Sequence, residues 1–426
     1  MSKHDQLACC SFCDSKSMTK IIDFGKVALA GAFLKPEQFV NEAVYPLRLY
    51  FCNDCLSVQL IDKVNANILF ENYFYFSSSI RTLREHFSNY AVDVTSRFLG
   101  TPENSTVIEF GCNDGVLLKP LADQQIRTVI GVDPATNIVK TINDPRVSVI
   151  NDFFKEDVAE KIIADYGRAD MVVANNVYAH IPDIQGVTRA INNVLNENGV
   201  FVFEVHYLGK IINELHYDMI YHEHLYYHSL LSLMNHFDRY DMMVFDVKAI
   251  PIHAGSMRYY VCKKGSRHGS SVSPQLTALR EAEIANGFRQ AETFARFAAD
   301  VAERKEKLMD LLKRIKAKGQ TIVGYGASGR ANTMIQYCGI DHRYMDYMID
   351  DAPAKSGFYT PGSHFLIQPS SVLQQCPPPD YLLIFAWSFF NEIAKKCRNY
   401  LDNGGRMIVP LPNVQIMMHP ACDLIL

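Results

Sequence analysis

The stretch Val107–Asp133 constrains this chain more than any other. It reads V-I-E-F-G-C-N-D-G-V-L-L-K-P-L and, a few residues on, T-V-I-G-V-D. An apolar run from Thr106 to Phe110 meets a turn holding Gly111 and Gly115. An amphipathic helix follows, and a second apolar run, Val129–Val132, ends in Asp133. This pattern predicts a strand-helix-strand unit, the opening of a parallel α/β sheet. Glycine lets backbone approach a ligand at the top of the first strand, and an acidic side chain closing the second accepts hydrogen bonds from a ribose diol. An adenosine-containing cofactor is expected there.

Spacing separates the candidate cofactors. A dinucleotide favours G-x-G-x-x-G, because its pyrophosphate must reach bare amides at the helix N-terminus. Here the turn is Glu109-x-Gly111-x-x-x-Gly115, with Asn113 and Asp114 inside it. A carboxylate in the turn suits an ammonium group and repels a pyrophosphate. The turn resembles that of class I S-adenosylmethionine methyltransferases; a glycine turn that serves packing alone is the plain alternative.

Four cysteines are paired as Cys10-x-x-Cys13 and Cys52-x-x-Cys55. Two such knuckles converge on one tetrahedral zinc, and with four thiolates the metal has no open position, so the site is expected to be structural. Cys9 is an alternative first ligand, but only Cys10 keeps the two-residue spacing. A zinc-finger binding module is a rival reading, weakened by the lack of a basic recognition helix. The chain has 426 residues, a formal charge of -4 and a pI near 6.4, which gives no electrostatic reason to expect nucleic acid or an anionic membrane as partner. Its polar start and the absence of a run of about eighteen apolar residues predict a cytoplasmic protein with its eleven cysteines as thiols or metal ligands.

After Asp133 the alternation continues. Strands are predicted at Val147–Ile150, tipped by Asp152 and Phe153, and at Met171–Ala174, tipped by Asn175, Asn176 and His180. In an open parallel sheet these tips share one crevice with Gly111–Gly115, so Asp152 and Phe153 are expected to meet an adenine and His180 the substrate. A helix from Gln185, a strand Val200–Val205 and two β runs, Val244–Ile250 and Met257–Cys262, close the sheet. Between them Tyr221-His222-Glu223-His224-Leu225-Tyr226-Tyr227-His228 is crowded with titratable groups. General acid-base chemistry accounts for the mixture. A metal on His224 and His228, four residues apart on one helical face, and a solvated surface helix are the competing readings. Upstream, Tyr73–Phe76 and three serines lead into a helix from Ile80 to Phe98, a candidate lid or simply core. A charged helical linker spans Pro274–Lys318. Beyond it Gly324-Tyr325-Gly326-Ala327-Ser328-Gly329-Arg330 opens a second α/β domain. That turn fits either a dinucleotide, given Asp350-Asp351 after the next strand, or the diphosphate of another nucleotide ligand, with Arg330 adding charge.

Together, the knuckles and the motifs G-x-N-D-G (Gly111–Gly115), A-H-I-P-D (Ala179–Asp183), Y-H-E-H (Tyr221–His224) and G-A-S-G-R (Gly326–Arg330) closely resemble the three-domain sugar C-methyltransferases acting on nucleotide-linked 4-keto-deoxysugars. The resemblance spans Cys10 to Gly405. It implies residues 1–79 as a zinc-binding domain with an aromatic lid, 80–268 as the methyltransferase domain, 269–318 as a helical linker and 319–426 as a Rossmann-like nucleotide-sugar domain. It implies His224 as the base at C3 of the keto sugar, with Tyr221, Glu223 and His180 lining the site and Tyr75 closing it. Cofactor contacts are expected from Glu109, Gly111, Asn113, Asp114, Gly115, Asp133, Asp152, Phe153 and Asn175. Substrate contacts are expected from Asn176, Tyr75, His180, Ser328, Gly329 and Arg330, and zinc ligands from Cys10, Cys13, Cys52 and Cys55. A monomer serving branched deoxysugar biosynthesis is expected. The rivals are an oxygen or nitrogen acceptor and an NAD-dependent oxidoreductase.

Overall fold

The computed structural model describes residues 4–70, 77–252, 254–374 and 377–418. The aromatic run 73–76, with Tyr75, lies outside them. The chain forms two compact units, each assembled from separated stretches: residues 1–19, 51–207 and 225–290 in the first, 20–50, 208–224 and 291–426 in the second. The units do not follow the linear order of segments expected from the sequence. Residues 208–224 leave the methyltransferase segment for the second unit, and the helical linker divides after Gln290 into Pro274–Ala285 and Ala291–Ala317.

The first unit is built on a seven-stranded sheet. Its strands are β1 (Thr106–Phe110), β2 (Thr128–Val132), β3 (Val147–Ile150), β4 (Ala169–Asn175), β5 (Leu195–His206), β6 (Met242–Ile250) and β7 (Ser256–Lys263). Their order is β6-β7-β5-β4-β1-β2-β3. β1 to β5 run parallel, and β7 pairs antiparallel with both β5 and β6. The order reverses between β1 and β4, so a crevice opens at their carboxyl ends, where the glycine turn lies.

The strands read as continuous apolar runs because both faces are covered. Ile108, Phe110, Ile130, Val132, Val172, Phe201 and Phe203 pack on one side. Val107, Val129, Met171, Val173, Val200 and Val202 pack on the other, beneath helix α1 (Arg81–Phe98), which contributes Leu83, Phe87, Tyr90, Ala91 and Val94 at helical spacing. No described helix is long and apolar enough to cross a membrane.

One buried carboxylate ties the linker to this core. The helix Leu230–Asp238 starts in the interior, where its first N–H groups lack intrahelical acceptors. Ser229 Oγ takes Ser232 N at 3.2 Å, while Glu283 Oε1 and Oε2, from the helix Pro274–Ala285, take Leu230 N at 2.7 Å and Leu231 N at 2.9 Å. Burial pushes Glu283 up to about 7. A carboxyl whose folded-state pKa is raised binds its proton more tightly when folded. Its contribution therefore favours the folded state below the ordinary carboxylate range and fades as pH rises to about 7. Glu283→Ala is expected to cost about 2–4 kcal/mol by stranding two buried donors and to flatten that part of the stability-pH curve, both readable in urea denaturation across pH.

The second unit carries a six-stranded sheet: β8 (Ile322–Tyr325), β9 (Met348–Ile349), β10 (Ile367–Gln368), β11 (Tyr381–Ile384), β12 (Arg406–Val409) and β13 (Gln415–Met417), ordered β10-β9-β8-β11-β12-β13. The sequence run Tyr344–Ile349 yields only the two-residue β9. Helix α2 (Gly329–Cys338) follows β8, with Ser328 Oγ as its N-cap accepting from Ala331 N. The reversal between β8 and β11 again leaves a glycine turn at a switch point.

Candidate active site

In the first unit, Gly111 has φ +66° and a Cβ there would lie 2.2 Å from Val177 Cγ2, so only glycine fits. Two carboxyls sit behind this turn. Glu109, next to last in β1, is held well above the usual carboxylate range by burial and by the neighbouring Asp133, an effect the Asn175 amide partly offsets. Asp133 accepts from Asn113 N and Ala135 N, both at 2.9 Å. Burial raises it despite those bonds. No lysine or arginine among the described residues counterbalances either group. Glu109 Oε2 and Asn176 Oδ1 are buried with no hydrogen-bond partner among the described residues. A crevice that keeps uncompensated carboxyls and orphaned acceptors fits a cationic ligand bearing hydroxyl donors.

The other predicted cofactor residues flank the same edge. Asn151 Nδ2 donates to Asp133 O at 2.9 Å, which sets Asp152 and the exposed Phe153 beside Asp133. Asn113 Oδ1 accepts from Ser77 N at 3.0 Å, and the Asp114 carboxylate accepts from Ser78 N at 3.1 Å. The turn's own side chains therefore hold the serine segment onto the crevice, and the three serines form a 3₁₀ turn rather than a side-chain cap for α1. His180 is half-buried at the tip of β4. Ala179 O, beside it, accepts from Leu225 N at 2.9 Å and Tyr226 N at 3.2 Å, the two residues that follow His224. Sequence spacing did not reveal the buried Glu204, which accepts from His86 Nε2 at 2.8 Å and Arg258 Nε at 2.7 Å behind Asn176.

The four predicted cysteines come together. Cys10 and Cys55 Sγ lie 3.5 Å apart, Cys13 and Cys52 Sγ 3.6 Å, and all four within 4.8 Å. A tetrahedron with Zn–S bonds of about 2.3 Å has edges of about 3.8 Å, so the set fits zinc. Both knuckles are built alike: Asp14 N donates to Cys10 O and Leu56 N to Cys52 O, and Asp14 and Leu56 both have left-handed φ. Phe12 N and Gln59 Nε2 donate to Cys10 Sγ at 3.3 and 2.9 Å. Cys9 stays outside the cluster.

Residues 221–228, which pass from the second unit to the first after His224, are not a helix but a turn followed by the short strand Tyr226–Tyr227. That removes the helical face on which His224 and His228 were to share a metal, and among the described residues only the four cysteines form a metal-capable group. The solvated-surface reading also fails, since His222, His224 and His228 are buried. His222 Nε2 is bonded to Pro46 O at 3.0 Å, which gives it a structural place. His224 Nδ1 lies 2.9 Å from Met219 O. A carbonyl only accepts, so Nδ1 carries the proton and Nε2 the lone pair of the neutral ring. The Tyr221 ring lies 4.0 Å from that imidazole. Glu223, pushed up to about 7 by burial, faces the bare backbone of Gly31, and Tyr221 faces Gly329. Arg330 Nε bonds the buried Asp218 at 3.0 Å, and Lys355 Nζ donates to Ala327 O at 2.7 Å and pairs with Asp350 at 3.2 Å. Asp351 is taken by Tyr325 and Lys396, both at 2.6 Å.

The reversed seven-stranded sheet, with its glycine turn and closing acidic residue, defines a class I S-adenosylmethionine-dependent methyltransferase. Residues 10–70 match a zinc binding domain family, 83–245 the family described as methyltransferase domain, and 251–412 that described as C-methyltransferase C-terminal domain. The chain is 31% identical over 410 residues to C-methyltransferase NovU of Streptomyces niveus, covering 96% of each. A ubiquinone biosynthesis O-methyltransferase of Azorhizobium caulinodans is 32% identical over 98 residues, 22% of this chain and 38% of that protein. The solved magnesium protoporphyrin IX methyltransferase of Synechocystis aligns with a TM-score of 0.32 and 12% identity, over 42% of this chain and 79% of that one. The chain belongs to the three-domain C-methyltransferase family: it is an S-adenosylmethionine-dependent C-methyltransferase with a zinc-binding cysteine cluster.

Proposed function

We propose that the enzyme methylates C3 of a nucleoside-diphosphate-linked 4-keto-deoxysugar, with His224 as base. The observation that carries this reading is the 2.9 Å approach of His224 Nδ1 to Met219 O, an acceptor that draws the ring proton to Nδ1 and makes Nε2 the basic nitrogen. A proton alpha to a ketone is acidic enough for imidazole only when the enolate is stabilised. Nε2 takes the C3 proton, the C3–H electron pair moves toward the C4 carbonyl, and Tyr221 and His180 donate to the developing oxyanion. Tyr75 and Asn176 are assigned to close and line the site. When bound, S-adenosylmethionine supplies an electrophilic methyl that C3 accepts in place of the lost proton. Glu109, Asp133, Asp152, Phe153 and Asn175 hold the cofactor, and Gly111–Gly115 form its turn.

Ser328, Gly329 and Arg330 are assigned to the diphosphate. Supporting this over NAD, Lys355 places a cation at the turn, and the acidic residues after β9 that would hold a nicotinamide cofactor's ribose are already engaged. A branched-deoxysugar pathway in the cytoplasm, with the enzyme acting as a monomer, completes the reading.

The test is to incubate nucleoside-diphosphate 4-keto-deoxysugars with enzyme and S-adenosylmethionine and locate the added methyl by mass spectrometry and NMR. A carbon-bound methyl at C3, with solvent deuterium entering C3 when the cofactor is withheld, is expected. Methylation on oxygen or at another carbon, or turnover of no keto sugar, would defeat the proposal.

A further inference from the structure

Asp218 has no part in the reaction just described, yet its carboxylate is fully buried. Its Oδ2 accepts from Arg330 Nε at 3.0 Å and from Trp387 Nε1 at 2.8 Å. The indole in turn packs 4.6 Å from the Arg330 guanidinium and 4.7 Å from the His216 ring. Asp218 is the middle residue of the 3₁₀ turn Tyr217–Met219, and the carbonyl of its neighbour Met219 is the acceptor that sets the His224 tautomer. The same turn is fastened along α2. Tyr217 Oη meets Cys338 Sγ at 3.5 Å, and Ile220 O accepts from Thr333 Oγ1 at 3.0 Å. Arg330 Nη1 bonds Ser388 at 3.2 Å, while its Nη2 and Asp218 Oδ1 are buried with no hydrogen-bond partner among the described residues.

We propose that Asp218 is a positioning residue that couples the anion-binding turn to the base. It anchors the Tyr217–Met219 turn, and with it the acceptor for His224 Nδ1, to the guanidinium at the start of α2. The inference rests on the His224 reading above. A guanidinium presents five N–H donors in one plane, so Arg330 Nη1, bonded to Ser388 at the exposed end of the group, has a second N–H for a phosphate oxygen while Nε stays on Asp218. Substrate is then gripped at its diphosphate by the same side chain that steadies the base. A lysine, with one rotatable point charge, does not do both.

The test uses the full-length chain as Asp218→Asn and Trp387→Phe, with a nucleoside diphosphate 4-keto-6-deoxyhexose as probe. Cofactor-independent deuterium exchange at C3 is expected to fall about 10–100-fold in Asp218→Asn, the scale of a small misplacement of a reacting group, and several-fold in Trp387→Phe. S-adenosylhomocysteine affinity by calorimetry is expected to be unchanged. In nitrogen-15 histidine spectra, with the His224 resonance assigned from His224→Ala, the single Nδ1–H tautomer gives way to a mixture in Asp218→Asn. A residue that only stabilised the fold would lower the unfolding midpoint and leave tautomer and exchange alone; that outcome in either folded variant overturns the proposal. Should Asp218→Asn not fold, Trp387→Phe carries the test. Wild-type exchange in His224→Ala would instead defeat the base assignment itself, so the two failures are distinguishable.

Discussion

His224→Ala is expected to lower methyl transfer by about 10³-fold while leaving S-adenosylhomocysteine binding intact, because a positioned general base contributes on the order of 10²–10⁴ in rate. The cofactor crevice belongs to the first compact unit, and His224 closes a stretch of the second. Neighbouring groups limit what replaces it. His222 is held by Pro46 O. Glu223 is the better substitute, since burial pushes it up to about 7. A carboxyl acts as base only when ionised, so residual activity in His224→Ala is expected to grow as pH rises through about 7. The double variant His224→Ala, Glu223→Gln should lose that rise. Steady-state rates from acid to mildly alkaline pH, with deuterium exchange at C3 alongside, check both statements. A His224→Ala enzyme with unaltered exchange would remove His224 from the mechanism.

The second large effect concerns the metal. Metal analysis is expected to find one zinc per chain. Cys52→Ser, or a strong chelator, is expected to lower the unfolding midpoint by about 10 °C or more, since structural zinc supplies folding free energy outright, of order 10–16 kcal/mol in isolated fingers. The loss would not stay local. Cys10, Phe12, Cys52 and Cys55 belong to the same apolar cluster as one face of the β1–β5 sheet, and Phe12 packs against Tyr226 and His236 at 5.0 and 4.7 Å. Cys9→Ser should be silent, as Cys9 is outside the cluster. At temperatures where Cys52→Ser is still folded, kcat is expected to match the parent enzyme; a change there would give the metal a part in the chemistry.

Local patterns carried most of the architecture into the sequence. Val107–Asp133 was legible because strand, glycine turn and acidic cap lie within one continuous stretch, and the two Cys-x-x-Cys knuckles because each is a single turn. Long-range organisation was less so. The octet Tyr221–His228 has a spacing that invites a helix. It is instead a turn held by Pro46 O, Met219 O and Ala179 O, acceptors that lie up to 176 residues away. Asp218 and Trp387 gave no signal, because their importance comes only from meeting Arg330 across 112 and 57 residues of chain; the Asp218 to Trp387 bond spans 169. The His86–Glu204–Arg258 cluster was hidden for the same reason. The role of Tyr75 rests on the family resemblance, since the residue lies outside those described.

The way the chain divides between its two compact units has a consequence for engineering. It passes from one unit to the other after Thr19, Tyr50, Tyr207, His224 and Gln290. No single cut therefore separates the two units. A chimera joined at residue 268 or 318 would carry Leu208–His224 from one parent and its anchors Arg330, Thr333 and Trp387 from the other. An exchange that keeps the second unit intact therefore has to move Lys20–Tyr50, Leu208–His224 and the C-terminal stretch from Ala291 together.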